Sequence, residues 1–524
     1  VDAAGERSVW HQRAGRGAAW APLSEHTDAD CVVVGAGITG LTLGALLVAE
    51  GRRVVVLERN RIASGTTGSS SAHLTLALDT DYRTLATRFG DEAVRQVVDS
   101  VRLALEVIER IATRGGRSCG FQWVPGFKFC EERAQAEELS EEGECARHLG
   151  IAVAQAERLP LPFPCATALR FEQQAQLDPV AYCDLLADAI VAGGGRIFEG
   201  TGVLEAFDDH VVTADGWRVN ARHVALATHT PLGLVPTLQT RLGVFTSYCV
   251  AARLALPIEP GLYWDCHDPY HYVRALDDGT SVLAGGEDHR TGRDRFPARR
   301  VRALKEWLRA RLPIESMLAC WSHEFFEPAD GLPYIGLVPG ARSRYVATGF
   351  SGTGLTFGTV SALLIRDLVM HGESPWQEVY APSRWKPLAS SRNFAKENLG
   401  VAWQLLSGRV RGEDTSLVAL QPDRGCIARQ GGGDTVAAYR DREGELHLMS
   451  PRCTHMGCTV AWNDFDKSWD CPCHGGRFRP TGEPLYGPPV APLERVEAPA
   501  RRVAVGSDSV AADDARSRAL GVDE

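Results

Sequence analysis

Two short apolar runs, residues 30–34 and 53–57, are rich in Val and do not alternate with polar residues, the pattern of strands buried on both faces. Glycines at 35, 37 and 40 follow the first run, and an apolar stretch of helical length occupies 38–50. The second run ends in Glu58, so the segment predicts a βαβ unit. Helical periodicity recurs over 80–113, 131–149, 178–192 and 298–311, and the stretch 197–285 is strand-like with turn glycines and aspartates. Residues 345–348 predict another buried strand, followed by the glycine-rich FSGTG and a helix over 356–370. From 417 onward short strands with frequent Gly, Asp and Pro predict a small all-β domain. The expected organisation is a polar arm over 1–28, a large α/β domain over 29–373, a connector over 374–416, an all-β domain over 417–504 and a frayed tail over 505–524. The connector holds Pro375, Pro382 and Pro387 and a helical stretch over 393–406.

Composition narrows the class. A 524-residue chain with 44% hydrophobic and 23% charged residues buries a large core. The net charge of −10 argues against a nucleic-acid partner, which requires a basic face. No apolar run reaches the roughly 20 residues of a membrane span, and the N-terminal residues lack the apolar stretch of a secretory signal, so a cytoplasmic protein is expected. Ten of the 14 cysteines are scattered from Cys31 to Cys426, as reduced core thiols are. The other four crowd into 453–473 and call for a separate explanation.

That crowd reads CTHMGC at 453–458 and CPCHGG at 471–476. Cys453 with His455, and Cys471 with His474, give two tight loops that each offer one thiolate and one imidazole. A Rieske [2Fe–2S] centre needs that set, with two thiolates on one iron and two imidazoles on the other. A Cys₂His₂ zinc site is the rival, although zinc fingers group their cysteines together and their histidines together. The motif resembles cytochrome-complex Rieske proteins, and the resemblance implies a disulfide between Cys458 and Cys473, two free thiols being the alternative. Those proteins carry hydroxyl side chains at the positions of Gly476 and Phe478, where this chain has none. Donors to the cluster sulfurs raise its potential, so the departure implies a lower one.

Gly35, Gly37 and Gly40 lie between a predicted strand and helix, with Glu58 closing the next strand 23 residues past Gly35. Such glycines let a pyrophosphate approach the helix N-terminus, and such an acid holds a ribose. The segments RIASGTTGSSSAHLT (61–75), DGLPYIG (330–336) and YVATGFSGTGLTFG (345–358) resemble the D-amino-acid oxidase and glycine oxidase superfamily. That resemblance implies FAD rather than a nicotinamide nucleotide. It implies a Rossmann-like FAD-binding domain with an inserted antiparallel substrate sheet, followed here by a small Rieske β-sandwich. It assigns FAD contacts to Ile38, Arg59, Thr66, Thr67, Val203, Gly349, Gly352, Gly354, Leu355 and Thr356, beside the fingerprint glycines and Glu58. A helix starting near Thr356 would aim its positive end at the flavin. Some superfamily members bind flavin covalently through a His near the position of Ser69; His73 is offset, so no covalent link is expected. With the segments 393–408 and 462–475, the whole chain resembles bacterial D-amino-acid-oxidase-like oxidoreductases that carry a C-terminal Rieske domain.

The run WDCHDPYHYVR (264–274) would face the flavin in that superfamily. Strand alternation puts Tyr270, Tyr272 and Arg274 on one face and His271 on the other. Arg274 is expected to hold a substrate carboxylate, the alternative being a surface arginine on an edge strand. His323 is a further candidate, while His289 and Glu324 read as structural. The reaction implied is dehydrogenation of a C–N bond in a small amine or amino acid, with electrons passing from FAD to the cluster and on to an external one-electron acceptor. Three rivals stay open. An NAD(P)H-dependent reductase serving an oxygenase would need a second nucleotide fingerprint, and none is present. An oxygenase would need an Asp-x-x-His-x₄-His iron site, also missing. A redox sensor is the non-catalytic reading. The oligomeric state is open, including a swapped dimer in which a cluster serves a neighbouring chain.

Overall fold

The computed structural model describes residues 7–14, 19–114, 116–231, 236–294, 296–384, 417–429 and 435–496. Most of the predicted connector, including its helical stretch over 393–406, and the tail lie outside the described residues.

The Val-rich runs form the centre of a mixed sheet with strand order Tyr334–Leu337, Arg344–Thr348, Arg218–Leu226, Thr27–Val34, Val54–Leu57, Arg196–Phe198. The five strands from Arg344 onward in that order run parallel. Both faces are covered, which is why the sequence shows no alternation: Cys31 and Val33 enter one core, Val32 and Val34 another. The helix Ile38–Ala49 is apolar nearly all round because other helices cover it as well as the sheet. A Cβ on Gly44 would lie 2.9 Å from Ile190 Cδ1, and one on Gly358 would lie 2.8 Å from Ile38 Cγ2.

The second sheet orders Ile314–Pro328, Leu242–Leu254, Ser281–Arg290, His271–Leu276, Leu262–Asp265, Gln122–Cys130, Thr167–Gln176 and His73–Leu74. Its alternation is kept: Tyr248, Val250 and Ala252 pack into the core with helix Pro297–Arg309, while Cys249 and Ala251 face the main core. The periodicity over 80–113 resolves into two helices, Tyr82–Phe89 and Asp91–Arg114, because Gly90 takes a left-handed φ of 84° that no helix continues through. The N-terminal arm is partly docked. Trp10 is buried, and its indole N–H donates to the Ser70 carbonyl at 2.8 Å.

The C-terminal part is all-β. One antiparallel sheet joins Arg424–Arg429, Thr435–Arg440 and Leu446–Met449; another joins Ala461–Asn463, Ser468–Asp470, Arg477–Phe478 and Pro484–Tyr486. Trp469 and Phe478 are fully buried between them. This part rests on the larger one of the same chain. Phe465 meets Tyr248 edge-on at 5.6 Å, Ser322 Oγ donates to Asp466 at 2.7 Å, and Ala298 N donates to Asp464 at 3.1 Å.

Candidate active site and cluster centre

A cleft of about 460 Å³ opens at the carboxyl ends of the parallel strands, where open α/β sheets bind ligands. Gly35, Gly37, Ile38, Glu58 and Arg59 line it, with Thr66, Thr67 and Val203 and with Gly352, Gly354 and Leu355. The glycines are required by space. Gly35 has φ 103°, and a Cβ there would sit 2.5 Å from the Ala227 carbonyl oxygen; on Gly37 it would sit 2.9 Å from Thr67 Oγ1. Gly40 lies behind the wall, where a Cβ would strike the Gly35 carbonyl oxygen at 1.9 Å. Gly349 and Thr356 also stand behind it: Gly349 turns with φ 78° and Thr356 is fully buried. The helix Ile38–Ala49 starts at the cleft, where its Ile38 N–H donates to Thr67 Oγ1 at 3.1 Å, and the half-buried Glu58 accepts from Ala36 N at 2.9 Å and Asn60 N at 2.8 Å. A helix N-terminus at the cleft, space kept clear by glycine and a carboxylate beside the glycine turn suit a dinucleotide with a pyrophosphate, so these residues fit FAD.

A second cavity of about 350 Å³ adjoins the cleft and shares Ser70, His323, Phe325 and Gly352 with it. Tyr270, Tyr272 and His323 line this cavity, as their positions in the sequence suggest. Tyr272 Oη lies 3.3 Å from Ser247 Oγ, and its ring lies flat against Gly285, where a Cβ would clash at 2.1 Å. Burial pulls the His323 imidazole down to about 4 and the cavity-lining His73 to about 3, so both are neutral.

Arg274 corrects the expectation of a carboxylate clamp. It shares the Tyr272 face, but two residues advance a strand by about 6.8 Å, and that step carries it past the cavity. Its Nη1 donates to the carbonyl oxygens of Ser71 at 3.1 Å, Ala72 at 2.8 Å and Leu177 at 3.1 Å, and the guanidinium stands 5.1 Å over the Trp10 ring. It is buried in the interior, not at a surface edge.

No arginine lines the second cavity among the described residues. The one lysine among the described residues that line it, Lys128, is paired with Asp81 at 2.5 Å. Five carboxylates line it: Asp79, Asp81, Glu138, Glu142 and Asp265. Glu142 and Asp265 are committed to backbone N–H groups, Glu142 to Tyr82 at 2.8 Å and Asp265 to His271 at 2.8 Å. Asp79 is different. Like those two it accepts from a backbone N–H, that of Gly352, which belongs to both cavities, but unlike them it is solvent-accessible. Enclosure by protein raises its carboxyl to about 6 against the pull of the Gly352 N–H and Lys128. No sequence motif marks Asp79.

The cysteine–histidine loops converge. Cys453 and Cys471 are buried free thiols, and the rings of His455 and His474 stand 5.1 Å apart and nearly perpendicular. Backbone N–H groups of His455 and Met456 point at the Cys453 sulfur, and those of Cys473 and His474 at the Cys471 sulfur; contact with Cys471 draws the Cys453 thiol below its ordinary range, while contact with Cys453 and burial push the Cys471 thiol well above it. His474 Nδ1 is buried with no hydrogen-bond partner. An orphaned imidazole nitrogen beside two buried free thiols, each met by backbone N–H groups, is the donor set that a [2Fe–2S] cluster requires. Cys458 and Cys473 form the disulfide between the two loops.

The loops face the larger domain. His455 Nε2 lies 3.2 Å from Gln239 Nε2, and a Cβ on Gly475 would lie 2.8 Å from Val244 and 3.0 Å from Phe326. Phe326 meets His229 edge-on at 4.9 Å, and His229 lines the cleft. One chain of van der Waals contact therefore runs from a cluster loop to the cleft within this polypeptide. Among the described residues no helix is long and apolar enough to cross a membrane.

Comparison with known proteins agrees with both sites. Residues 30–368 match the family described as FAD dependent oxidoreductase, and residues 418–497 match the Rieske [2Fe-2S] domain. The chain is 30% identical over 485 residues to the Rieske 2Fe-2S iron-sulfur protein YhfW of Bacillus subtilis, covering 91% of this chain and 94% of that one. It is 26% identical over 393 residues to gamma-glutamylputrescine oxidoreductase of Escherichia coli, covering 71% and 90%. Glycine oxidase from Geobacillus kaustophilus superposes with a TM-score of 0.58 at 21% identity, over 68% of this chain and 99% of the other.

Proposed function

Because this chain belongs to the FAD dependent oxidoreductase family and carries a Rieske [2Fe-2S] domain, we propose that it is a dehydrogenase of cationic amines that delivers electrons to an external one-electron acceptor. FAD, when bound, supplies hydride acceptance from the carbon beside nitrogen, and the cluster supplies onward transfer of single electrons. The observation that carries the substrate class is the second cavity: five carboxylates, one lysine already paired, and no arginine among the described residues. A substrate carboxylate has no free cation to meet there, whereas a substrate ammonium meets Asp79.

The residues divide the work. Asp79, at the junction with the cleft, orients the ammonium and accepts its proton, leaving a neutral amine whose C–H bond can break as a C=N bond forms. Tyr270 and Tyr272 wall the substrate and exclude water, and neutral His323 adds no competing positive charge. The gamma-glutamylputrescine oxidoreductase likeness supports an amine substrate.

Anaerobic mixing with diamines, N-methyl amines and α-amino acids, followed by flavin absorbance and low-temperature EPR, tests the reading. Bleaching of flavin and then a Rieske signal with amines but not with amino acids is expected. Reduction by α-amino acids alone would overturn the substrate class, and reduction by NAD(P)H alone would replace the enzyme with an electron-transfer reductase.

A further inference from the structure

The cleft of the larger domain is not closed by that domain alone. Pro484, Tyr486, Gly487, Pro488 and Val490 belong to the C-terminal domain, and all five line it. Tyr486 reaches furthest. Its hydroxyl hydrogen-bonds Thr66 Oγ1 at 3.1 Å and His229 Nδ1, and a Cβ on Gly65 would lie 3.8 Å from its ring. Thr66 and His229 themselves line the cleft. Burial pushes the phenol well above its ordinary range and the His229 imidazole down to about 3, so the contact joins two neutral groups.

The same turn is locked to the cluster loop. Gly487, with φ 83°, packs so that a Cβ would lie 2.2 Å from the Gly475 carbonyl oxygen, and a Cβ on Gly476 would lie 2.7 Å from Pro489 Cγ. Gly475 and Gly476 directly follow the ligand His474. Pro484, Pro488 and Pro489 restrict the backbone of the turn. The segment that walls the cleft and the loop that carries a cluster ligand therefore move as one piece.

We infer that the C-terminal domain is a structural part of the FAD site, with Tyr486 as a flavin-binding residue, so that flavin binding and docking of the domain are thermodynamically linked. If docking tightens flavin binding by some factor, flavin tightens docking by the same factor. Full enclosure of the flavin requires the docked domain, and release of the flavin requires it to lift. The domain thus retains the flavin as well as supplying the onward electron carrier, and the inference does not depend on which substrate reduces the flavin.

The test uses the full chain stripped of flavin and refilled, with FAD affinity read from flavin fluorescence and the cluster from its EPR signal. Tyr486→Ala is expected to raise the FAD dissociation constant about tenfold or more with the cluster signal intact, and Tyr486→Phe to raise it less. An affinity within twofold of the unaltered protein, with the cluster present, overturns the inference. If Tyr486→Ala loses its cluster, hydrogen exchange on the unaltered protein decides. Slower exchange at 474–476 and 484–490 on adding FAD supports the linkage, and identical exchange with and without FAD sinks it.

Discussion

Asp79 lines the second cavity, and Arg274 lies past it. Arg274 donates to three carbonyl oxygens and stacks over Trp10, holding the arm and residues 71–72 together. Replacing it with Met leaves those buried acceptors unpaired at about 1–3 kcal/mol each at most. Arg274→Met should therefore lower thermal stability measurably while changing amine KM less than threefold; a selective loss of substrate binding would restore the clamp role. Asp79→Asn should do the opposite, weakening amine binding about tenfold with the melting temperature unchanged or higher. The sign with pH follows from its carboxyl at about 6. Below that value the group is neutral and does not attract an ammonium; above it the charge is present. Amine binding should tighten as pH rises through about 6, and the step should vanish in Asp79→Asn, as measured by anaerobic titration.

At the scale of elements, the strand–turn–helix around Gly35 and the two cluster loops were readable because their chemistry is local: a few residues at fixed spacing make a backbone cradle or a donor set. Gly40→Ala tests the first, since its Cβ would meet the Gly35 carbonyl oxygen at 1.9 Å. The variant should lose flavin absorbance yet keep the Rieske EPR signal. Asp79 and Tyr486 were not readable. Asp79 gains its role from Gly352, 273 positions away, and Tyr486 from Thr66, 420 positions away. No periodicity encodes contacts at that separation. That Arg274 lies past the second cavity is unreadable for a related reason: alternation assigns a face but not how far along the strand a cavity extends. The break at Gly90 was hidden because the apolar stripe continues on both sides of it.

At the scale of the molecule, the interface between the two domains is built around a buried cation. Arg477 donates to Asp470 at 3.0 Å, Asp466 at 2.6 Å and Ser468 at 3.1 Å, and lies 4.0 Å from Glu324 of the larger domain. Burial works against this charge, and the surrounding carboxylates more than offset it, holding the guanidinium protonated. Arg477→Met would strand those carboxylates, a cost of about 3–5 kcal/mol. Loss of cluster and a lower unfolding temperature are expected together, read by EPR and calorimetry. The contact from Gly475 through Phe326 to His229 places the cluster loop against the cleft of its own chain.

The turn that clamps residues 475–476 to residues 484–490 also bears on how the protein is made. Before iron and sulfide arrive, the Cys458–Cys473 disulfide still ties the ligand loops together but their four donors are unanchored, and a loop so loosened holds the wall of the neighbouring cleft less firmly. The linkage inferred above then predicts an order of maturation, metallocluster before nucleotide. Cells starved of iron would accumulate a pale polypeptide deficient in both prosthetic groups, even with riboflavin in excess.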